Sequence, residues 1–141
     1  MSKITGLAWT TLNVGDASNS SVDIRNDCTN WQFSTPRGVQ DVTGLDKSAI
    51  ERLLLLADFS CTINGVFNPS GAHTVFSTVP STSVNRFMAN TVGGKNLNLG
   101  TAGAGTGAVL FTDYQVARAQ TGELTTSVPG VLANGSVPTW S

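Results

Sequence analysis

The chain has 141 residues, a formal net charge of -1 at pH 7 and only 12% charged residues. Ser, Thr, Asn and Gly make up about two-fifths of it, against three lysines and two glutamates, which excludes a helical bundle or coiled coil. The 40% apolar fraction is too high for a disordered chain, and the absence of basic excess excludes binding driven by phosphate neutralisation.

These numbers leave one β-rich domain, 1–141, with terminal arms at 1–6 and 136–141. The start, MSKITGLAWTTL, has neither the apolar core nor the cleavage site of a signal peptide. The longest apolar run, Leu53 to Ala57, is too short to span a bilayer, so no membrane anchor is expected. Two cysteines, Cys28 and Cys61, match no zinc spacing and are expected to be reduced, buried thiols.

In chain order, Leu7 to Val14 reads as a strand and Gly15 to Ser21 as a turn. Val22 to Asn26 is extended, but the apolar phase then slips from even to odd positions. A bulge or tight turn is therefore expected within Asp27 to Asn30. Trp31 to Thr35 is a strand ended by Pro36, with Arg37 and Gly38 connecting it to a return strand, Val39 to Thr43. Ile50, Leu53, Leu54 and Ala57 fall at helical spacing, and Ser48 with Glu51 fits a capping box, so Asp46 to Leu55 reads as a helix.

From Phe59 the period is two, giving a strand to Phe67. Asn64-Gly65 within it fits either a hairpin or a bulge. Asn68 as cap and Pro69 at the first position open a second helix, 69–79, whose apolar face is Ala72, Val75, Phe76 and Val79. Ser83 to Val92 is a strand and Gly93 to Gly107 a mobile, glycine-rich loop. Ala108 to Ala119 and Glu123 to Leu132 are strands, and a tail with Val137, Pro138 and Trp140 follows. About seven strands at this spacing indicate a sandwich or barrel.

Little here carries chemistry. His73 occurs alone and reads as a solvated surface histidine. Asp23 and Asp27 read as turn residues, and calcium-loop spacing is missing. Gly100 to Ala108 lacks the Gly-Lys-Ser/Thr ending of a phosphate loop and reads as a flexible connector. Neither catalytic residues nor a cofactor or metal site is expected. Four consecutive leucines, Leu53 to Leu56, cannot all face one core, so another chain is expected to cover some of them.

The run VDIRNDCTNWQFSTPRGVQDVTGLDKSAIERLLLLADFSCTINGVFNP resembles the first half of the major tail (tail-tube) proteins of long, non-contractile-tailed bacteriophages. The matching residues are Asp23-Ile24, Trp31 to Phe33, Asp41 to Thr43, Asp58 to Ile63 and Asn64 to Phe67. The late segment LFTDYQVARAQTGELTTSVPGVLANGSVP fits as well. The resemblance implies a mainly β, sandwich- or barrel-like tail-tube subunit with one short flanking helix (about 69–79). It also implies a long loop (about 44–58) projecting to a neighbour, in place of the helix over Asp46 to Leu55.

By the same resemblance, subunits form stacked hexameric rings that enclose a tape-measure protein and later conduct DNA without specific binding. Tail terminator and distal tail or baseplate proteins are the further partners, and the virion tail, built in the host cytoplasm, is the location. Inter-subunit residues expected on this basis are Leu53, Leu54, Leu55, Leu56, Arg37, Trp9 and Trp140. The competing class is a carbohydrate- or protein-binding sandwich module of a fibre or adhesin, which would not polymerise. A hydrolase would need a catalytic set that is not visible.

Overall fold

Strand pairing follows the alternation of apolar residues. The computed structural model describes residues 3–141. It contains β1 (Trp9–Gly15), β2 (Ser21–Asp23), β3 (Cys28–Ser34), β4 (Arg37–Asp41), β5 (Arg52–Ala57), β6 (Ser60–Val66), the short helix α1 (Ala72–Phe76), β7 (Met88–Val92), β8 (Lys95–Leu99), β9 (Val109–Phe111), β10 (Gln115–Arg118) and β11 (Leu124–Leu132). One sheet has the order β2-β1-β7-β8. A second has β10-β11-β6-β3, with β9 also paired to β11, and β4-β5 form a separate two-stranded sheet. All pairings are antiparallel. The expected mainly β, sandwich-like fold with one short helix is what the chain adopts.

The core lies between the two larger sheets. From the first come the cross-strand rows Leu12, Asn90, Leu97 and Val14, Met88, Leu99. From the second come Trp31, Ile63, Val128 and Phe33, Cys61, Gly130, Phe111. Residues one step along the strands point to the opposite face. On the second sheet those rows are Asn30, Asn64, Ser127, Gln115 and Gln32, Thr62, Pro129, followed by Ser34, Ser60, Val131, Leu110 and by Val66, Thr125, Ala117. None of these side chains carries a charge.

The phase slip near Asp27 is present in two forms. A 3-10 turn covers Arg25–Asp27, and the β3–β6 register then shifts between Cys28 and Asn30. Asn64-Gly65 is no hairpin. It continues β6 opposite that shift, and a Cβ on Gly65 would collide with the carbonyl oxygen of Asp27.

Several expected elements are corrected. The residues read as a helix at Asp46 to Leu55 instead run into β5, because four leucines in a row carry no period of their own and the pairing with β4 decides. Val39 to Thr43 is not a return strand onto β3: Arg37 and Gly38 already belong to β4, which pairs with β5. The helix at 69–79 is reduced to Ala72–Phe76. Asn68 folds its Oδ1 onto the N–H of Ser70 at 3.2 Å in a turn of its own.

The helix cap comes from elsewhere: Ala72 N–H donates to Asp27 Oδ2 at 2.9 Å, across 45 residues of chain. The stretch read as a loop from Gly93 contains β8, joined to β7 by Gly93 and Gly94 at φ +58° and +79°, which suits a two-residue hairpin turn. Ala108 to Ala119 is broken into β9 and β10, and both pair with β11.

Val75 and Phe76 of α1 are buried, and Ala72 and Val79 are packed beside the core. Phe76 meets Phe111 edge-on at 5.3 Å between ring centroids. Phe76→Ala should lower unfolding free energy by roughly 3–5 kcal/mol in urea titrations. Gly65→Ala should cost about 2–3 kcal/mol by overpacking, while Gly6→Ala, whose Cβ would meet nothing within 4 Å, should leave the midpoint unchanged.

Candidate assembly surface

Residues 37–57 leave the sandwich as a two-stranded arm. Its base is closed by Asp58 N–H donating to the Pro36 carbonyl at 3.0 Å, and Arg37 Nε donates to the Leu55 carbonyl at 2.9 Å. Near the tip, Val42 N–H donates to the Glu51 carbonyl at 3.0 Å, and Glu51 N–H donates to Thr43 Oγ1 at 2.8 Å. Thr43, through its hydroxyl and then its backbone N–H, holds the Asp41 carboxyl below its ordinary range. Lys47 pairs with Glu51 at 3.5 Å.

Cross-strand partners share a face, so Val39 with Leu54 lie on one side and Gln40 with Leu53 on the other. Both sides are bare. Among the described residues, eight of the seventeen exposed large apolar side chains sit between Val39 and Leu56, with Leu56 90% and Leu45 fully exposed. Leu54, Leu55, Leu56, Ala57, Arg37 and Val137 line a groove of about 540 Å³ at the base of the arm. A two-stranded hairpin is marginal in water, and this concentration of apolar surface is of the kind that marks an interface.

The remaining expected contact residues lie elsewhere. Trp9 is half-buried against Trp31 and Phe33, at 5.8 and 6.2 Å between centroids, and its indole N–H donates to the Thr11 carbonyl. Trp140 is about half exposed, packs on Phe33 at 6.0 Å and bridges to Leu97. Ser141 and Asn96 exchange backbone hydrogen bonds at 2.8 and 2.9 Å, so the tail closes on β8. The structure brings Arg37 together with the leucines; Trp9 and Trp140 share a separate aromatic cluster.

The residues weighed for chemistry have structural partners. His73 is not a solvated histidine. Its ring is half-buried between Phe67 and Tyr114, with Nδ1 3.1 Å from the Tyr114 hydroxyl, because β10 is preceded by a loop that returns Tyr114 to α1. Asp23 accepts from Arg25 N–H at 3.0 Å, while Asp27 accepts from Ala72 N–H and from Asn68 Nδ2. Cys28 and Cys61 are free thiols. Burial pushes Cys61 up to about 12 and Cys28 up from 9.0. Among the described residues no group of three His, Cys, Asp or Glu is placed to hold a metal ion.

Gly100–Gly107 is not a mobile connector. Buried Asn19, at φ +56°, donates from Nδ2 to the carbonyls of Thr101 and Gly103 and accepts from Phe87 N–H. Fully buried Arg86 was also missed by the sequence reading. Its guanidinium donates to the carbonyls of Val75 and Gly15 and to Thr78 Oγ1, so it gathers the end of α1. Nothing in the local sequence distinguishes that arginine from a surface one.

The fold and the bare arm define a β-sandwich protein with an exposed apolar surface. No family model and no curated protein matches the chain. Its fold does recur in solved structures. A chain of the virion of a native gene transfer agent particle matches with TM-score 0.69 and 14% identity, covering 97% of this chain and 99% of the other. A chain of the tail of an empty gene transfer agent particle, refined with C6 symmetry, matches with TM-score 0.66 and 15% identity over 99% and 98%. This chain shares their fold over essentially its whole length.

Leu53→Asp and Leu54→Asp, one on each face of the arm, should leave stability within about 0.5 kcal/mol yet abolish self-association in sedimentation. Normal association by both variants would remove the arm from the interface. Cys61 should resist thiol reagents in the folded chain at neutral pH. With its folded pKa above the unfolded one, its contribution to stability should be present below pH 9 and fall away as pH rises towards 12.

Proposed function

We propose that this chain is a structural tail-tube subunit of a phage-like particle, assembling into stacked hexameric rings. The single observation that carries this reading is the arm, apolar on both faces and uncovered, on a fold that recurs in a C6-symmetric tail. Contacts around a six-fold axis are heterologous, so one patch must meet a different patch on the next copy. The second sheet offers such a pair of patches. β3 forms one edge of this sheet and β10, with β9 farther along β11, the other, and β3 and β10 run in opposite directions in the antiparallel order. β10 of one copy beside β3 of the next keeps the alternation and continues the ladder around the ring. The arms then lie on neighbouring subunits, where Leu53 to Leu56 and Arg37 are covered.

In that ring the first sheet packs on one face of the second, so the other face, with its uncharged side chains, lines the lumen. Hydroxyl and amide groups without fixed charge exchange no counterions with phosphates, which suits a conduit that DNA crosses without being held. The tape-measure protein occupies the same lumen during assembly, and tail terminator and distal tail or baseplate proteins close the ends. No catalytic role is assigned, and the particle tail is the location.

Electron microscopy of the purified chain should show rings or tubes with six-fold end views. A persistent monomer with affinity for glycans or a protein would favour the adhesin-type module instead. For the lumen, Thr62→Cys and Asn98→Cys in a Cys28→Ser background are to be labelled in assembled tubes. Thr62→Cys should react with a small maleimide but not with a polymer-linked one, whereas Asn98→Cys, on the outer face of the first sheet, should react with both. Equal reaction of Thr62→Cys with both reagents would place the second sheet away from the lumen.

A further inference from the structure

The chain contains two Asn-Gly pairs, and the fold treats them oppositely. Asn64-Gly65 lies within β6, paired to β3 on one side and to β11 on the other. The Asp27 carbonyl presses on Gly65, and Thr29 Oγ1 donates to the Asn64 carbonyl at 3.3 Å. Asn134-Gly135 lies past the end of β11 in an exposed turn. Gly135 is at φ +75° with open space around it. Asn134 bends its side chain back along its own backbone, and its Oδ1 accepts from Ser136 N–H at 3.0 Å.

We propose that Asn134 is a site of spontaneous deamidation in the folded protein, and that Asn64 is protected by its sheet. The Gly135 backbone nitrogen attacks Asn134 Cγ. A C–N bond forms to close a five-membered succinimide, the Cγ–Nδ2 bond breaks, and the proton from the Gly135 nitrogen leaves with ammonia. Water then opens either carbonyl of the ring, giving aspartate or isoaspartate. Closure needs the next residue's nitrogen over the side-chain carbon. The turn at Asn134 bends the side chain back along the chain, with Oδ1 on the Ser136 N–H, glycine adds no Cβ to obstruct closure, and no ladder holds the peptide. At Asn64 the same rotation must break pairing on both sides.

The conversion acts on a structural contact. Asn134 Nδ2 donates to the Gly107 carbonyl at 3.4 Å, at the end of the Gly100–Gly107 loop where Gly100 and Gly107 bridge. Aspartate has no donor to offer that carbonyl and sets a negative charge beside it, and isoaspartate also lengthens the main chain by one methylene. Either product releases one of the ties that pin the loop, which is also held by Asn19 and by Thr106 within it.

The test is peptide mapping by mass spectrometry after incubation of the folded chain in mildly alkaline buffer, with isoaspartate detection. Acid and isoaspartate should accumulate at 134 and be absent at 64, and both sites should convert once the chain is unfolded in urea. An intact Asn134 in the folded chain, or conversion at 64 keeping pace with it, would overturn the proposal. Gly135→Ala should suppress conversion at 134. Asn134→Asp should speed amide hydrogen exchange across Thr101 to Gly107 relative to the parent. Unchanged exchange there would overturn the assigned consequence.

Discussion

Asp27 ties the helix to the second sheet at the point where the chain crosses over from the first. Its carboxylate accepts the first free N–H of α1 at Ala72 and the amide of Asn68, groups that a helix start would otherwise leave bare. Its carbonyl rests on Gly65 near the end of β6, at the position where β3 carries one extra residue. The 3-10 turn that ends at Asp27 delivers the chain from the first sheet to the second. One buried residue thus fixes the sheet-to-sheet crossing, the bulge and the helix origin together. At the far end of α1, Arg86 does the matching work with three donors, and the ring of Phe111 lies 5.9 Å from its guanidinium carbon. A five-residue helix has little stability of its own. It persists because an acid caps one end and a base gathers the other.

The sequence disclosed what period and local chemistry encode. Alternation located β1, β3, β6 and β11, and the parity slip at Asp27 to Asn30 located a bulge without any knowledge of its partner. Where the signal failed, the deciding interaction was remote. The leucine run supports helical spacing and strand alternation equally, and only β4 across from it selects β5. Asn68 resembles a cap by type, yet Asp27 supplies the cap from 45 positions away. Gly93 to Gly107 reads as a loop because its many glycines mask the turn at Gly93-Gly94 and the alternation of Leu97 and Leu99 beyond it. Asn19, buried with a positive φ, binds Thr101 and Gly103 and so orders the part of that stretch, beyond β8, that is a loop.

Of the candidate surface, the leucines were legible because four in sequence exceed what one face of a strand can bury. Arg37 stands with them through its bond to Leu55. Trp9 and Trp140 are expected at the interface through the resemblance alone. In the fold they meet the same ring, Phe33, so much of their apolar area is already spent within the subunit. Contact residues are better read from area left uncovered after folding than from residue type.

The same accounting separates the arm from the sandwich energetically. The sandwich buries Leu12, Val14, Phe59, Met88, Leu97 and Val109 almost completely and can fold by itself. The arm buries almost nothing: every residue of β4 and all but the last of β5 are exposed. Its internal bonds trade water for backbone partners at about 1 kcal/mol each, against an ordering cost of about 1–2 kcal/mol per residue. Local terms therefore do not hold the arm by themselves, and covering its leucines, at roughly 25 cal/mol per Å², acts towards ordering it. An arm that local terms leave unfavourable and burial favours gains fully only where both faces are met at once. On the proposed reading, an ordered neighbouring copy meets that requirement and a casual collision does not.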